Sequence, residues 1–271
     1  MAEYLLDAKG NGQIFRVVDT ICKEKSKWQT IEISDLELLG RSLALDGIIQ
    51  LSELDKDRYH ETITHPVLQT ALRTPGSCAE ILVLGGGDGI IAGEAIKYPG
   101  VGVTLVDIDE KVIDLCRAHM SHMNNGSLSH PSVRIKVMDA LEFACTTRRR
   151  KYDAIFLDIT DPHPESPSRS LLGQDAILRY KSLLTPGGII VCQTDNPFVT
   201  PKHREQMNET FGSVFANVGE LGITALTFSG VFSFVWASDH HQFLFFNENI
   251  IATQWLTNQR LELCEKILEL A

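Results

Sequence analysis

Hydrophobic and polar positions follow two different patterns along the chain, and the change between them falls near residue 59. From about Gln13 to Leu51, short segments alternate apolar and polar residues and are separated by turn residues. That alternation is typical of antiparallel strands with one face toward water. The four segments are QIFRVVD, WQTIEIS, RSLALD and IIQLS. The sequence therefore predicts a small N-terminal antiparallel β domain over residues 1–58.

The second pattern begins with a helical stretch from Tyr59 and continues as strands and helices in alternation. The predicted strands are almost wholly apolar: EILVLGGG, GVTLVDID, VRIKVMDA, YDAIFLD, IIVCQTD, VFSFVWAS and QFLFF. The helices between them are AGEAIKY, EKVIDLCRAHM, LLGQDAILRYKSLL and HREQMNETFGSVFANV. Apolar strands joined through helices indicate a parallel sheet that is covered on both faces. We therefore predict an α/β fold with a Rossmann-like, doubly wound, mostly parallel sheet over residues 59–271.

Composition narrows the class of protein without fixing its chemistry. The chain has 271 residues, of which 44% are apolar, and this is enough for a large packed core. The formal net charge of −10 argues against a nucleic-acid partner, because such a partner needs a basic surface. The six cysteines form no C-x-x-C pair, so neither a disulfide framework nor a zinc cluster is predicted. The sequence has no signal-peptide pattern and no apolar run of membrane-spanning length, and we expect a cytoplasmic protein without a membrane partner.

Acidic residues stand where successive predicted strands end. The first strand runs into the glycine loop LGGGDG, which carries Asp88, and the next two strands end in Asp107 and Asp139. The fourth strand ends in Asp158, with Asp161 close behind. The carboxyl ends of parallel strands meet at one edge of the sheet, where ligands bind. Because buried charge is costly without a partner, this edge is expected to bind hydroxyls, amino groups and positive charge.

Several of these acids have two interpretations. Asp107 follows the glycines by about 20 residues, where nucleoside-binding sheets place the acid that holds ribose hydroxyls. Asp139 either caps the next helix or accepts a hydrogen bond from an adenine amino group, and Asp109 is predicted to be a helix cap. The glycine loop is either a ligand-binding loop or a plain turn. A carboxylate at Asp88 would repel a pyrophosphate, so the loop does not indicate a dinucleotide site. Adenosine, a sulfonium and an amine together would satisfy the whole set of acids.

Beyond single residues, longer segments resemble the spermidine synthases, the polyamine aminopropyltransferases. The similar segments run in the order of that family through roughly residues 13–245. They include SKWQ, LDGIIQLSELDKDRYHE, LGGGDG, VDIDEKVID, VMDA, YDAIFLDITDP, LTPGGIIVCQTD and FSGVFSFVWAS. The resemblance implies a β domain followed by a Rossmann-like domain similar to that of S-adenosylmethionine-dependent methyltransferases.

The resemblance also implies an activity. It implies transfer of an aminopropyl group from decarboxylated S-adenosylmethionine to an amine, with putrescine as the first choice of acceptor. Agmatine, cadaverine or spermidine are alternative acceptors, and methyl transfer from intact S-adenosylmethionine is the rival reaction on the same fold. The family implies no metal and no cofactor beyond the adenosyl sulfonium co-substrate. It also implies a homodimer or a homotetramer.

Site residues follow from the same resemblance, position by position. It implies Asp158 as the catalytic base and as an amine contact, with Tyr59 and Asp161 as further amine contacts. It implies these contacts to the donor: Gln29, His60, Asp88, Asp107, Asp139, Ala140 and Pro167.

The sequence departs from the family pattern at four points, and the last two of them fall on the side of the expected amine. Asp107 stands where a glutamate is usual, and Ile90 replaces a glycine of the loop. The segment 163–170 differs in length and composition, which leaves the register of Pro167 open. That segment is either a lid over the amine or an ordinary surface loop. Thr227 and Phe228 replace an aromatic–proline pair, so a tyrosine that contacts the acceptor in relatives is missing.

Overall fold

The computed structural model describes residues 2–5, 12–74, 76–147, 151–159 and 168–270. The side chains of residues 2–5, 168–169 and 270 are not part of that description. Two sheets account for the strands of these residues, one of six strands and one of seven. None of the helices in the described ranges combines the length and the apolar content that a bilayer crossing needs.

The N-terminal sheet has the strand order β2-β1-β6-β5-β4-β3. Its neighbours pair antiparallel except β1 and β6, which are parallel with Leu5 opposite Ile48. The strands are β1 (Ala2–Leu5), β2 (Gly12–Phe15), β3 (Val17–Lys25), β4 (Thr30–Leu36), β5 (Gly40–Leu45) and β6 (Ile48–Ser52). Ile31 and Ile33 alternate with more exposed positions along β4 and enter the main core.

The larger sheet has the order β12-β13-β11-β10-β7-β8-β9. The run from β11 to β9 is parallel, whereas β13 is antiparallel to both of its neighbours. Its strands are β7 (Glu80–Gly85), β8 (Gly102–Asp107), β9 (Val133–Val137), β10 (Tyr152–Asp158), β11 (Leu184–Gln193), β12 (Asn217–Ala225) and β13 (Gly230–Ser238). The predicted mostly parallel α/β sheet is therefore confirmed.

Helices cover both faces of this sheet. They are α1 (Lys56–Leu72), α2 (Ile90–Ala95), α3 (Glu110–His119), α4 (Ala140–Thr146), α5 (Ser168–Leu171), α6 (Gln174–Lys181), α7 (Pro201–Gly212) and α8 (Asn258–Lys266). Successive residues of a strand point to opposite faces, so Val83 joins one apolar core while Leu82 and Leu84 join the other. Two buried faces explain why the strand sequences are continuously apolar.

The C-terminal third differs from the predicted elements. The segment expected to be helical over residues 203–218 ends as a helix at Gly212, and β12 begins at Asn217. The segment QFLFF, expected to be a strand, is irregular, although Leu244 and Phe246 are buried in the core. Strand β11 begins at Leu184, so it contains the TPGG that was expected to precede it. Apolar periodicity alone does not separate a buried loop from a buried strand.

Candidate active site

A cavity of about 540 Å³ lies where the strands of the parallel sheet end, and the N-terminal sheet supplies part of its wall. The fold thus places the cavity at the edge where ligands of such sheets bind. Of the predicted site residues, the following line it: Gln29, Tyr59, His60, Asp88, Asp107, Asp139, Ala140 and Asp158. Asp161 and Pro167 lie outside the described residues, as does most of the segment considered as a lid.

The glycine loop after β7 is packed directly against the end of β10. Gly85 has φ +81°, and a Cβ placed there would lie 2.1 Å from the carbonyl oxygen of Asp158. The amide of Gly86 donates to that same oxygen over 3.0 Å. Only glycine combines this left-handed backbone with so close an approach. The loop therefore brings Asp88 to the side of Asp158. Ile90, where the resemblance implied a glycine, is buried in the main core.

Three carboxylates on one side of the cavity are held by backbone amides. Asp107 accepts from the amides of Gly87 (2.9 Å) and Asp109 (2.8 Å), and Asp88 accepts from that of Ile90 (2.7 Å). Asp139 caps α4 by accepting from the amides of Leu141 and Glu142, both over 2.9 Å. We call the wall formed by residues 85–88, Asp107 and Asp139 the glycine-loop side. Its acids are fixed in position before any ligand arrives.

Asp109 is a helix cap, as predicted, and it also joins the two sheets. Its carboxylate accepts from the amide of Lys111 (3.1 Å), from Ser26 Oγ (2.6 Å) and from Gln29 Nε2 (3.1 Å). Nearby, the Trp28 indole donates to the carbonyl of Ile108 over 3.0 Å. The amide nitrogen of Gln29 is thus used within the protein, and its oxygen is the atom that can accept from a ligand.

Asp158 lines the cavity next to a second carboxylate and a histidine. One ring nitrogen of His60 and one carboxylate oxygen each of Asp88 and Asp158 lie within 4.8 Å of one another. Burial and the negative charge of Asp88 raise the pKa of Asp158 to about 7, against the hydrogen bond from Tyr59 Oη at 3.0 Å. Burial likewise raises the pKa of Asp107 to about 6. A nearby cation would favour the ionised form of both acids.

His60 is a neutral acceptor in this cluster. Burial lowers its pKa, although the charge of Asp88 opposes that effect. Its Nδ1 lies 2.7 Å from the carbonyl oxygen of Lys56. Because a carbonyl oxygen only accepts, Nδ1 carries the proton and Nε2 keeps a lone pair. The three side chains can therefore hold one small cation, either a metal ion or an organic ammonium.

Another part of the cavity wall is aromatic. The ring of Phe228 stacks on Phe232 with centroids 4.2 Å apart, and both centroids lie 5.8 Å from that of Tyr59. We call the wall formed by Tyr59, Asp195, Thr227, Phe228 and Phe232 the hairpin side, because most of it belongs to the β12–β13 hairpin. Its rings can enclose a methylene chain and can face a cation.

Thr227 does not present its hydroxyl to this wall. Its Oγ1 donates to the buried carboxylate of Asp55 over 3.0 Å and lies 2.5 Å from Ser52 Oγ, while its amide donates to Asp55 over 2.9 Å. The side chain is only 2% exposed. At this position, where the resemblance implied a tyrosine, the chain has a threonine whose polar atoms are already bonded inside the protein.

Gln193 and Asp195 are among the polar residues of the cavity wall that were not predicted. Both follow the apolar run of β11, in the segment CQTD, and this strand-end acid is the signal that could have revealed Asp195. Gln193 accepts from the amide of Asp195 over 2.9 Å and donates to the carbonyl of Ile159 over 3.1 Å. Every parallel strand from β7 to β11 thus contributes a polar side chain near its carboxyl end.

Comparison with known proteins gives the same family by two routes. Residues 56–247 match the family model described as the spermine/spermidine synthase domain, and residues 3–53 match the spermidine synthase tetramerisation domain. The polyamine aminopropyltransferase of Sulfolobus acidocaldarius is 35% identical over 221 residues, which cover 81% of this chain and 71% of the relative. Polyamine aminopropyltransferase 1 of Hyperthermus butylicus is 32% identical over 234 residues, covering 85% and 79% respectively.

Solved structures share the fold. The crystal structure of spermidine synthase from Thermotoga maritima superposes with a TM-score of 0.79 at 23% identity and covers 96% of this chain and 94% of its own. A spermidine synthase in complex with the transition state analogue AdoDATO superposes with a TM-score of 0.81, with the same identity and coverage. These similarities show the two-sheet architecture of the chain.

Proposed function

The chain belongs to the spermine/spermidine synthase family, and from that premise we propose that it moves the aminopropyl group of decarboxylated S-adenosylmethionine to putrescine. The observation that carries the proposal is the trio of Asp88, Asp158 and His60, whose polar atoms lie within 4.8 Å of one another in the cavity. Two carboxylates so close cannot both ionise easily without a cation. A sulfonium and an ammonium supply that charge together.

The donor occupies the glycine-loop side in this proposal. Asp107 and Gln29 accept from the ribose hydroxyls, and Asp139 with Ala140 borders the adenine. Asp88 and the lone pair of His60 Nε2 accept from the aminopropyl ammonium. A negatively charged cluster disfavours the extra carboxylate of intact S-adenosylmethionine, which supports the decarboxylated donor.

The reaction is a displacement at carbon. The acceptor nitrogen attacks the propyl carbon bonded to sulfur, the carbon–sulfur bond breaks, and its electron pair returns to sulfur as neutral methylthioadenosine leaves. The proton lost by the acceptor ammonium passes to Asp158. Holding the two reactants in line turns an encounter between two cations into a positioned pair, and the carboxylates offset the repulsion between them.

The raised pKa of Asp158 supports its role as the base. A free alkylammonium has a pKa near 10, and an ordinary aspartate is near 4, so proton transfer between them is uphill by about 8 kcal/mol. Burial raises the pKa of Asp158 in the free protein to about 7, which narrows this difference before the cationic reactants bind. Burial of the ammonium lowers its own pKa and reduces the gap further.

The hairpin side supports a short diamine as the acceptor. Tyr59 and Asp158 border the attacking nitrogen, and the stacked rings of Phe228 and Phe232 border the methylene chain. Because the Thr227 hydroxyl is bonded to Asp55 and Ser52, this wall offers the acceptor an apolar surface where relatives offer a tyrosine. Agmatine, cadaverine and spermidine are the alternatives to putrescine.

Product analysis tests the proposal. The protein is incubated with decarboxylated S-adenosylmethionine and each of putrescine, cadaverine, agmatine and spermidine, and the products are weighed by mass spectrometry. We expect methylthioadenosine and spermidine, with the highest rate for putrescine. Formation of S-adenosylhomocysteine from intact S-adenosylmethionine, without methylthioadenosine from the decarboxylated donor, would contradict aminopropyl transfer and favour a methyltransferase.

We also propose that the chain assembles as a homo-oligomer. The match of residues 3–53 to a tetramerisation domain supports this. Analytical ultracentrifugation distinguishes a dimer from a tetramer, and a monomer at micromolar concentration would contradict the proposal.

A further inference from the structure

We propose that Asp109 is a positioning residue for the donor: it holds the side-chain nitrogen of Gln29 and so turns the Gln29 oxygen toward the ribose. The inference rests on the proposed function, because it assigns a role to a residue that lies behind the donor site and does not touch the donor. Asp109 is the N-cap of α3, is 2% exposed and does not line the cavity. The sequence predicted only the cap, and the contact with Gln29 comes from the folded structure.

The carboxylate of Asp109 divides its two oxygens between two elements. Oδ1 accepts from the amide of Lys111 over 3.1 Å, whereas Oδ2 accepts from Ser26 Oγ (2.6 Å) and from Gln29 Nε2 (3.1 Å). A carboxylate only accepts hydrogen bonds, so the amide atom of Gln29 that faces it is the nitrogen. None of the described residues donates a hydrogen bond to the Gln29 oxygen. Because Gln29 lines the cavity, that oxygen is left for a ligand.

The turn that carries Gln29 is fixed by further hydrogen bonds. It joins β3 to β4, and within it the hydroxyl of Ser26 accepts from the amides of Trp28 (3.0 Å) and Gln29 (3.1 Å). The indole of Trp28 donates to the carbonyl of Ile108 over 3.0 Å. These contacts place the Gln29 backbone, but the torsion that sets its terminal amide is broad and roughly two-fold. Asp109 is the group that selects one orientation.

Asp109 also holds the second acceptor proposed for the ribose. Its backbone amide donates to Asp107 Oδ1 over 2.8 Å, while the amide of Gly87 donates to Oδ2 over 2.9 Å. One residue therefore orients both groups that the proposed function places against the ribose hydroxyls, Asp107 through its main chain and Gln29 through its side chain. Only the contact with Gln29 depends on the carboxylate, so a change of the Asp109 side chain separates the two.

Asp109→Asn tests the orientation because asparagine offers one acceptor and one donor. If its oxygen keeps the Lys111 amide, its NH₂ group faces Gln29, whose amide must then rotate to accept. The rotated Gln29 presents its nitrogen to the cavity, and the ribose loses an acceptor. Adding Gln29→Glu should reverse this loss, since a carboxylate accepts on both sides. In the wild-type background, Gln29→Glu instead sets two carboxylates against each other.

Glu24 provides a matched control. Its carboxylate accepts from Lys111 Nζ over 2.7 Å, so it joins the N-terminal sheet to α3 beside Asp109. Glu24 is exposed and does not line the cavity. Glu24→Gln, like Asp109→Asn, changes one carboxylate to an amide at the contact between these two elements.

The experiment measures the dissociation constant of methylthioadenosine by calorimetry at pH 8 for the wild-type protein, the three single variants and the double variant Asp109→Asn with Gln29→Glu. Methylthioadenosine is neutral, so its affinity reports the hydrogen bonds more than the lost charge. We expect Asp109→Asn to weaken binding about 3- to 10-fold, the size of one lost neutral hydrogen bond, and Gln29→Glu to weaken it at least as much. The double variant and Glu24→Gln should bind within about twofold of wild type.

Steady-state kinetics and thermal denaturation separate positioning from a general loss of structure. For Asp109→Asn we expect a higher KM for the donor, with kcat and the KM for putrescine changed less than twofold, because the Gln29 contact is the same in the ground state and the transition state. The proposal is overturned if Asp109→Asn binds methylthioadenosine as tightly as wild type, if Glu24→Gln matches its loss, or if the double variant binds no better than Asp109→Asn.

A crystal structure of the wild-type protein with methylthioadenosine gives a test that needs no variant. Gln29 should meet Asp109 with its nitrogen and a ribose hydroxyl with its oxygen, each within about 3.2 Å. A Gln29 side chain turned away from either group would overturn the inference and leave the proposed function intact. If the wild-type protein did not bind methylthioadenosine at all, the proposed function itself would fail.

Discussion

The two walls of the cavity are built differently. On the glycine-loop side, Asp88, Asp107 and Asp139 each accept hydrogen bonds from backbone amides that lie close in the chain or at the next strand end. On the hairpin side, Tyr59 comes from α1, Asp195 from the end of β11, and the stacked phenylalanines from the β12–β13 hairpin. One wall is made from local motifs, the other from tertiary packing.

This difference indicates how each wall is held in place. A capping carboxylate and a glycine loop are fixed by backbone geometry, so the acids of the glycine-loop side are positioned by local hydrogen bonds. On the hairpin side, the hydroxyl of Thr227 is bonded to Asp55 and Ser52, which lie far from it in the chain. In the proposed function, the donor binds at the first wall and the acceptor at the second.

The largest effect is expected at Asp158, which lies between the two walls. Asp158→Asn keeps the shape but removes the base, and we expect kcat to fall at least about a hundredfold, as acid–base catalysis requires. Steady-state production of methylthioadenosine measures this, with the exposed Asp175→Asn as the control. If the variant kept turnover within tenfold of wild type, Asp158 would not be the catalytic base.

A smaller effect confined to the donor is expected at Asp88. Asp88→Asn keeps the acceptor for the Ile90 amide but loses the charge that, in the proposed function, faces the aminopropyl ammonium. We expect the KM for the donor to rise about 10- to 100-fold, as for other hydrogen bonds to charged groups, while the KM for putrescine changes less than threefold. A rise confined to putrescine would mean that the donor lies on the other wall.

Asp158→Asn should lower activity but raise the thermal stability of the protein at neutral and higher pH. The pKa of Asp158 is raised in the folded state to about 7, so the folded protein holds a proton that the unfolded chain releases near pH 4. Stability from this group is therefore lost as pH rises from about 4 to about 7. Asp158→Asn should raise Tm by about 3 to 10 °C above pH 7, given a shift of about three pKa units. The gain should vanish near pH 4, and a constant gain at both pH values would contradict the raised pKa.

The smallest effect on catalysis is expected for substitution of Thr227. This substitution tests whether the Thr227 hydroxyl stabilises the fold or contacts the acceptor. Thr227→Val removes the hydroxyl that donates to buried Asp55, and we expect the free energy of unfolding to fall by about 1 to 3 kcal/mol. The KM for putrescine should stay within about twofold, because that hydroxyl faces the protein. Thermal denaturation and steady-state kinetics check both values. An unchanged Tm with a tenfold higher KM would show that the hydroxyl serves the acceptor.

The glycine-loop side was largely predictable from the sequence, because strand ends, caps and glycine turns are local features. Asp107, Asp109 and Asp139 stand where the pattern placed them, although the sequence left open whether Asp139 was a cap. The aromatic stack and the bonding of Thr227 join residues far apart in the chain, and no spacing rule relates Asp55 to Thr227. The strand Asn217–Ala225 was missed since its glycines and mixed polarity conceal its two-residue period.

The central claim is that these strand-end carboxylates are counter-ions for two cationic reactants. The most direct test is the pKa of Asp158, measured by carbon NMR on protein with labelled aspartate carboxyl groups and assigned by comparison with Asp158→Asn. We predict a value near 7 in the free protein and a fall of at least about one unit when decarboxylated S-adenosylmethionine binds. Neutral methylthioadenosine should cause a much smaller fall. A value near 4 in the free protein, or equal shifts with the charged donor and the neutral product, would contradict the account.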